Sequence, residues 1–170
     1  MSFTLPQPEP SLHSAIREGL HVSAGAGVTK WFFGDTCTTK LTSQLTGGSL
    51  GLTEVSVPPG GGPIAHSHAR EDETCYLLSG ELEFLIGDQS FTAGPGDIVF
   101  IPRTVRHRFR NVGLHDCEML FLFTPGGPEN VFIEGGDEPQ PGQRPELWVE
   151  RLTKLANLME KYGIEALPRT

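Results

Sequence analysis

Between Trp31 and Thr124 the chain is cut at short intervals by clusters of glycine and proline: GG at 47–48, PPGGGP at 58–63, SG at 79–80, GD at 87–88 and AGPGD at 93–97. The runs between them are rich in Val, Ile, Phe, Leu and Thr. They are too short for a helical period, so they read as antiparallel strands of an all-β sandwich or barrel. Strands are expected over 39–46, 49–57, 64–68, 73–78, 81–86, 89–92, 98–101, 106–112 and 117–124. Gly87-Asp88 marks a compact hairpin turn. At 170 residues the chain is long enough for one domain with a real core.

The flanks differ in character. Residues 1–30 form an N-terminal arm, with three prolines in the first ten positions and a turn or two of helix expected over 11–18. The barrel occupies 31–124. Residues 125–144, dense in Gly and Pro, read as a surface linker. From Pro145 to Gly163 a helix is expected, because Trp148, Leu152, Leu155, Met159 and Tyr162 recur at helical spacing. Such a stripe docks on the barrel or on a partner subunit.

Charge narrows the partners. Thirteen Lys and Arg against 21 Asp and Glu give a net charge of −8, which argues against nucleic acid or an anionic membrane as partner. No apolar run is long enough to span a bilayer. The opening MSFTLPQPEP lacks a basic and then apolar leader pattern, so a cytoplasmic location is expected. Cys37, Cys75 and Cys117 form no disulfide pattern and suit a reducing compartment.

Two segments carry chemistry. In the first, Gly60-GGPIA-His66-Ser-His68-ARED-Glu73-TCYLLS-Gly80, His66 and His68 share one face of a strand and can offer imidazoles to one ion. Glu73 has the wrong parity for an unbroken strand, so the chain must turn or bulge before it. The second is Gly96-DIVFI-Pro102-RTVR-His107-RFR-Asn111. If His107 faces inward from a neighbouring strand, three imidazoles and one carboxylate meet. That donor set suits Fe, Mn, Ni, Co, Cu or Zn better than Mg or Ca. His13, His21 and His115 show no such pattern.

The spacings G-x5-H-x-H-x4-E-x6-G and G-x5-P-x4-H-x3-N closely resemble the two motifs of the cupin superfamily, over about residues 45–124. The chain departs from that pattern at Thr104, where the family usually has Gly; the position shapes a turn. The resemblance implies a small double-stranded β-helix (jelly-roll) barrel with His66, His68, Glu73 and His107 as metal ligands. Strand parity adds Ile64, Cys75, Leu77 and Phe109 as residues facing the pocket. Arg106, Arg108 and Arg110 alternate with His107 and Phe109 and face outward. They form a solvated stripe or a rim that steers an anion. Phe121 and Phe123 share parity with Met119 and fill either the barrel or a dimer face.

The arrangement also looks like single-domain bacterial cupins of the quercetinase-like kind. That implies a metal-dependent dioxygenase acting with O2 on a small enolisable or aromatic substrate, with Glu73 as the catalytic base. The donor set equally permits a non-redox isomerase, cyclase, lyase or decarboxylase, or a cupin that only binds a small ligand. A homodimer is expected, because open sheet edges need cover.

Overall fold

A computed structural model describes residues 19–145 and 152–167. Among the described residues, eleven strands and two helices follow in order: β1 (Val28–Phe32), β2 (Asp35–Leu41), β3 (Gly51–Val57), β4 (His66–His68), β5 (Asp72–Ser79), β6 (Leu82–Ile86), β7 (Gln89–Ala93), β8 (Ile98–Ile101), β9 (His107–Asn111), β10 (Cys117–Thr124), α1 (Glu129–Gly135), α2 (Leu152–Lys161) and β11 (Ile164–Ala166). Two antiparallel sheets result, β1-β2-β3-β10-β5-β8 and β11-β4-β9-β6-β7. This is the expected all-β architecture of a double-stranded β-helix.

Period-two patterning builds the core. Along β10, Cys117, Met119, Phe121 and Phe123 are buried while the residues between them are not. Along β3, Gly51, Thr53, Val55 and Val57 are buried in the same way. These faces meet Leu77 of β5, Phe84 of β6 and Phe109 of β9 inside the barrel. Phe121 and Phe123 therefore fill the barrel, settling the choice that parity left open.

Several elements depart from the expected boundaries. The strand expected over 39–46 runs instead over Asp35–Leu41, and the chain then enters turns. The hydroxyl of Thr46 donates to the Leu50 carbonyl at 2.6 Å, and the Thr46 amide donates to the Thr42 carbonyl at 3.1 Å. Hydroxyl side chains of this kind offer the backbone an alternative to the sheet ladder. β1 and β11 lie outside the expected strands.

The stretch 125–144 carries α1, packed closely on the barrel. Glu129 is fully buried there. Its Oε1 accepts from the Ser43 amide at 2.6 Å and its Oε2 from the Gly127 amide at 2.6 Å. Gly51 makes room for it, since a Cβ at that position would lie 2.1 Å from Glu129 Oε2.

The C-terminal helix is observed over Leu152–Lys161, with Leu155 buried. Trp148 and the helical turns expected over 11–18 lie outside the described residues. Lys161 donates to Glu134 of α1 at 2.7 Å, and the Tyr162 hydroxyl donates to the same carboxylate. β11 then pairs with β4, setting Ile164 opposite His68 and Ala166 opposite His66.

Candidate metal centre

Both sheets contribute to the site. His66 and His68 stand on β4, and His107 stands on β9 in register with His66. Glu73 stands on β5 of the other sheet, opposite Phe123 and Ile101. The parity break between His68 and Glu73 is thus resolved by a change of sheet across residues 69–71. Gly62 lets the preceding loop lie close against β9: it has φ +129°, and a Cβ there would sit 2.3 Å from the Phe109 carbonyl oxygen.

One donor atom from each of His66, His68, Glu73 and His107 lies within 4.8 Å of every other. The second ring nitrogens of His66 and His107 and the second oxygen of Glu73 are occupied in ways that aim these donors, while Nδ1 of His68 has no hydrogen-bond partner among the described residues. Nδ1 of His66 lies 2.9 Å from the Ile64 carbonyl, and Nδ1 of His107 lies 2.9 Å from the Val105 carbonyl. A carbonyl acceptor fixes the proton on Nδ1 and turns the Nε2 lone pair toward the cluster, the usual outer support of a metal-bound imidazole. Cys75 Sγ donates to Glu73 Oε1 at 3.3 Å. Glu73 Oε2 then faces His68 Nε2 at 3.0 Å and His107 Nε2 at 3.3 Å. Three nitrogens and a carboxylate oxygen converge, a donor set that fits a divalent transition ion.

Electrostatics agree with the geometry. Burial alone would raise the Glu73 carboxyl pKa, but attraction and hydrogen bonding from His107 and His68 outweigh it and hold it well below the usual range. Burial, reinforced by the neighbouring imidazoles, lowers His66 to about 3. Burial also disfavours the charged form of His107, but Glu73 more than compensates and raises its pKa. The cluster therefore contains one anionic carboxylate, one firmly neutral imidazole and one that holds its proton more tightly than usual.

The cluster opens on a cavity of about 100 Å³. Of the residues expected to face the pocket, Ile64 and Phe109 line it together with His66, His68 and Glu73. Cys75 and Leu77 point inward as parity requires, but neither lines the cavity. Both are fully buried in the core, where β5 runs on past Glu73 into the packed part of the barrel. His107 is likewise buried behind the cavity wall. Arg106 and Arg108 edge a separate outer groove. Arg106 Nε donates to the Leu167 carbonyl at 2.8 Å, and Arg108 lies 3.5 Å from Glu83.

Other cavity residues were not among those expected to face the pocket. Phe32 and Phe33 come from the β1–β2 hairpin, Phe132 from α1, and Leu155 and Met159 from α2. The hairpin turns on Phe33 and Gly34, with φ of 54° and 88°, which is the pattern of a type I′ turn. Asp35, the next residue, also reaches the cavity. The only sequence signal for it is its shared parity with Cys37 on β2.

The fold and site together define a two-sheet antiparallel barrel whose inner wall carries a three-histidine, one-glutamate cluster that could hold a metal ion. The Cupin domain family matches residues 53–123. Protein SchB of Streptomyces halstedii is 32% identical over 107 residues, covering 61% of this chain and 76% of that protein. The chain belongs to the cupin family.

Polyketide synthase CurC of Streptomyces cyaneus is 33% identical over 94 residues, covering 55% of this chain and 60% of that relative. Quercetin 2,3-dioxygenase of Bacillus subtilis (strain 168) is 28% identical over 92 residues, only 27% of that enzyme. Among solved structures, KdgF from Halomonas sp. superposes with a TM-score of 0.59 at 18% identity, covering 66% of this chain and 99% of that one. That likeness concerns the fold.

Proposed function

We propose that the protein is a metal-dependent dioxygenase acting on a small enolisable aromatic substrate. The observation that carries this reading is the composition of the cavity: six phenylalanines, at positions 32, 33, 109, 121, 123 and 132, surround the opening onto the histidine–glutamate cluster. Apolar walls with a few convergent polar groups make a small-molecule site. An apolar cavity of roughly 150 Å³ takes up benzene, so this cavity of about 100 Å³ matches a single ring. α2 contributes Leu155 and Met159 to the cavity wall.

His66, His68, Glu73 and His107 would hold the ion, which when bound supplies Lewis acidity and, for Fe, Mn, Ni, Co or Cu, redox chemistry with O2. The chain does the rest. Glu73, anionic and fixed by Cys75, accepts the enol proton of the substrate. The phenylalanines hold the ring and exclude water, which would otherwise protonate the carbanionic centre or compete for the ion. Both atoms of O2 end in the product, and the proton taken by Glu73 returns to it.

A second reading has its own support. Polyketide synthase CurC matches over more of its own length than the dioxygenase does, and the same donor set serves a non-redox isomerase, cyclase, lyase or decarboxylase in which the ion would act as a Lewis acid. The O2 electrode separates the two. The dioxygenase reading expects substrate-dependent O2 uptake, with a flavonol as first probe. Full turnover by the zinc protein without oxygen would sink it.

The proposal includes a homodimer. The outer face of the β5–β8 edge pair exposes Tyr76, Leu78, Ile98 and Phe100, an apolar strip of the kind that association covers. Light scattering at micromolar concentration tests this, and a monomer would contradict it.

A further inference from the structure

Asp35 opens β2 immediately after the Phe33–Gly34 turn and stands in register with Phe32. It lines the same cavity as the histidines but is not one of the four clustered donors. Its exposure is 7%, and its Oδ1 has no hydrogen-bond partner among the described residues. Gly61 packs close beside that oxygen, since a Cβ there would lie 3.1 Å from it.

A buried polar atom is nearly always paired, because leaving it unpaired costs its lost hydration. In a cavity wall the natural missing partner is a ligand atom. Burial also pushes the Asp35 carboxyl up to about 8. At neutral pH it is then largely a neutral acid, with an O–H to donate and an oxygen to accept. Cys37, the next inward residue of β2, has a thiol that burial holds neutral, so it places no charge beside the acid.

We propose that Asp35 is a specificity residue that hydrogen-bonds a hydroxyl or carbonyl oxygen carried by the aromatic ligand. It thereby fixes which way the ring lies in the cavity. The inference rests on the reading of the cavity as an aromatic site. It adds that the substrate bears an oxygen substituent besides whatever oxygen meets the cluster. Six phenylalanines can hold a ring but cannot set its rotation; one buried acid can, because an analogue lacking the oxygen leaves that acid unpaired.

Phenol and toluene are near-isosteric probes that differ by a hydroxyl against a methyl. Their affinities for the full chain, measured by NMR titration in wild type, Asp35→Ala and Asp35→Asn, test the assignment. Wild type should prefer phenol. Asp35→Ala should weaken phenol about tenfold and leave toluene within twofold or tighter. Asp35→Asn, which keeps a donor and an acceptor, should restore most of the phenol affinity.

An equal loss for both probes in Asp35→Ala, or no change for phenol, overturns the assignment and leaves the aromatic cavity standing. Failure of wild type to bind either probe overturns the cavity reading itself, and this one with it. Thermal melting adds a readout without ligand. Both variants should melt at or above wild type, because an unpartnered buried acid does not hold the fold together. A fall of more than about 5 °C in both would make Asp35 structural and overturn the proposal.

Discussion

Glu73 Oε2 lies 3.0 Å from His68 Nε2, although the two residues belong to different sheets of the barrel. The chain changes sheet between them in three residues. The contact therefore joins the two layers from inside and sets the carboxylate among the three imidazoles. An ion bound there would hold both sheets at once.

Chelation should lower the melting temperature measurably. A ligand that binds only the folded chain at about a hundred times its dissociation constant stabilises by roughly 2.7 kcal/mol. For a domain of this size that corresponds to a shift on the order of 5–10 °C. Differential scanning calorimetry of metal-loaded and chelator-treated protein measures it, and identical curves would contradict the prediction.

Glu73→Gln keeps the shape of the side chain but removes its charge and basicity. Metal content should fall only in part, because three imidazoles remain, while turnover should fall by about 10²–10⁴, the usual contribution of a positioned base. Parallel elemental analysis and kinetics separate the two effects. Unchanged turnover would remove Glu73 from the chemistry.

The pH dependence follows from Glu73 and His107. Glu73 is depressed in the folded chain, so its contribution is present above 4.5 and is lost as pH falls below it. His107 is raised, so its contribution is complete below 6.5 and is lost as pH rises through its folded value. The pair therefore stabilises the metal-free protein most between about 4.5 and 6.5.

Metal affinity runs the other way, since the ion must displace the His107 proton. It should climb with pH through neutrality, by up to about tenfold per unit, while His66, neutral down to about 3, adds no slope. Isothermal titration at several pH values checks this, and a flat profile would contradict it.

Thr104 has φ 69° in the turn closed by the Val105 amide on the Pro102 carbonyl at 3.2 Å. It is the third residue of that turn, the position where a type II turn requires positive φ and favours glycine. A β-branched residue is strained there. Thr104→Gly should stabilise the protein by about 1 kcal/mol, the relief of left-handed strain less the added freedom of the unfolded chain. Because the Thr104 amide donates to the His68 carbonyl at 2.7 Å, metal content should be checked alongside the melting curve. A lower melting temperature would count against the strain.

The barrel strands were legible because turn residues punctuate them and one face of each is buried. The four clustered donors were legible because His-x-His spacing and the later His107 are local patterns. What escaped was set by tertiary contact. α1 lies in a stretch whose glycines and prolines suggest a loop, and it is held by a buried Glu129 bonded to Ser43, 86 residues away in the chain. β11 is three residues long and exists by pairing with β4. Asp35 lies outside the expected strands and outside both histidine motifs. Only the folding of the β1–β2 hairpin over the cavity buries it, and no local pattern records that. Cys75 and Leu77 had the right parity, but parity fixes a face, and depth along the barrel decides between cavity and core.

The central claim is that His66, His68, Glu73 and His107 together hold one metal ion. Elemental analysis of protein purified without metal-affinity resin tests it most directly. Wild type should carry about one transition ion per chain, and both His66→Ala and His107→Ala should lose most of it, with folding verified by circular dichroism. A full metal complement in both variants would contradict it.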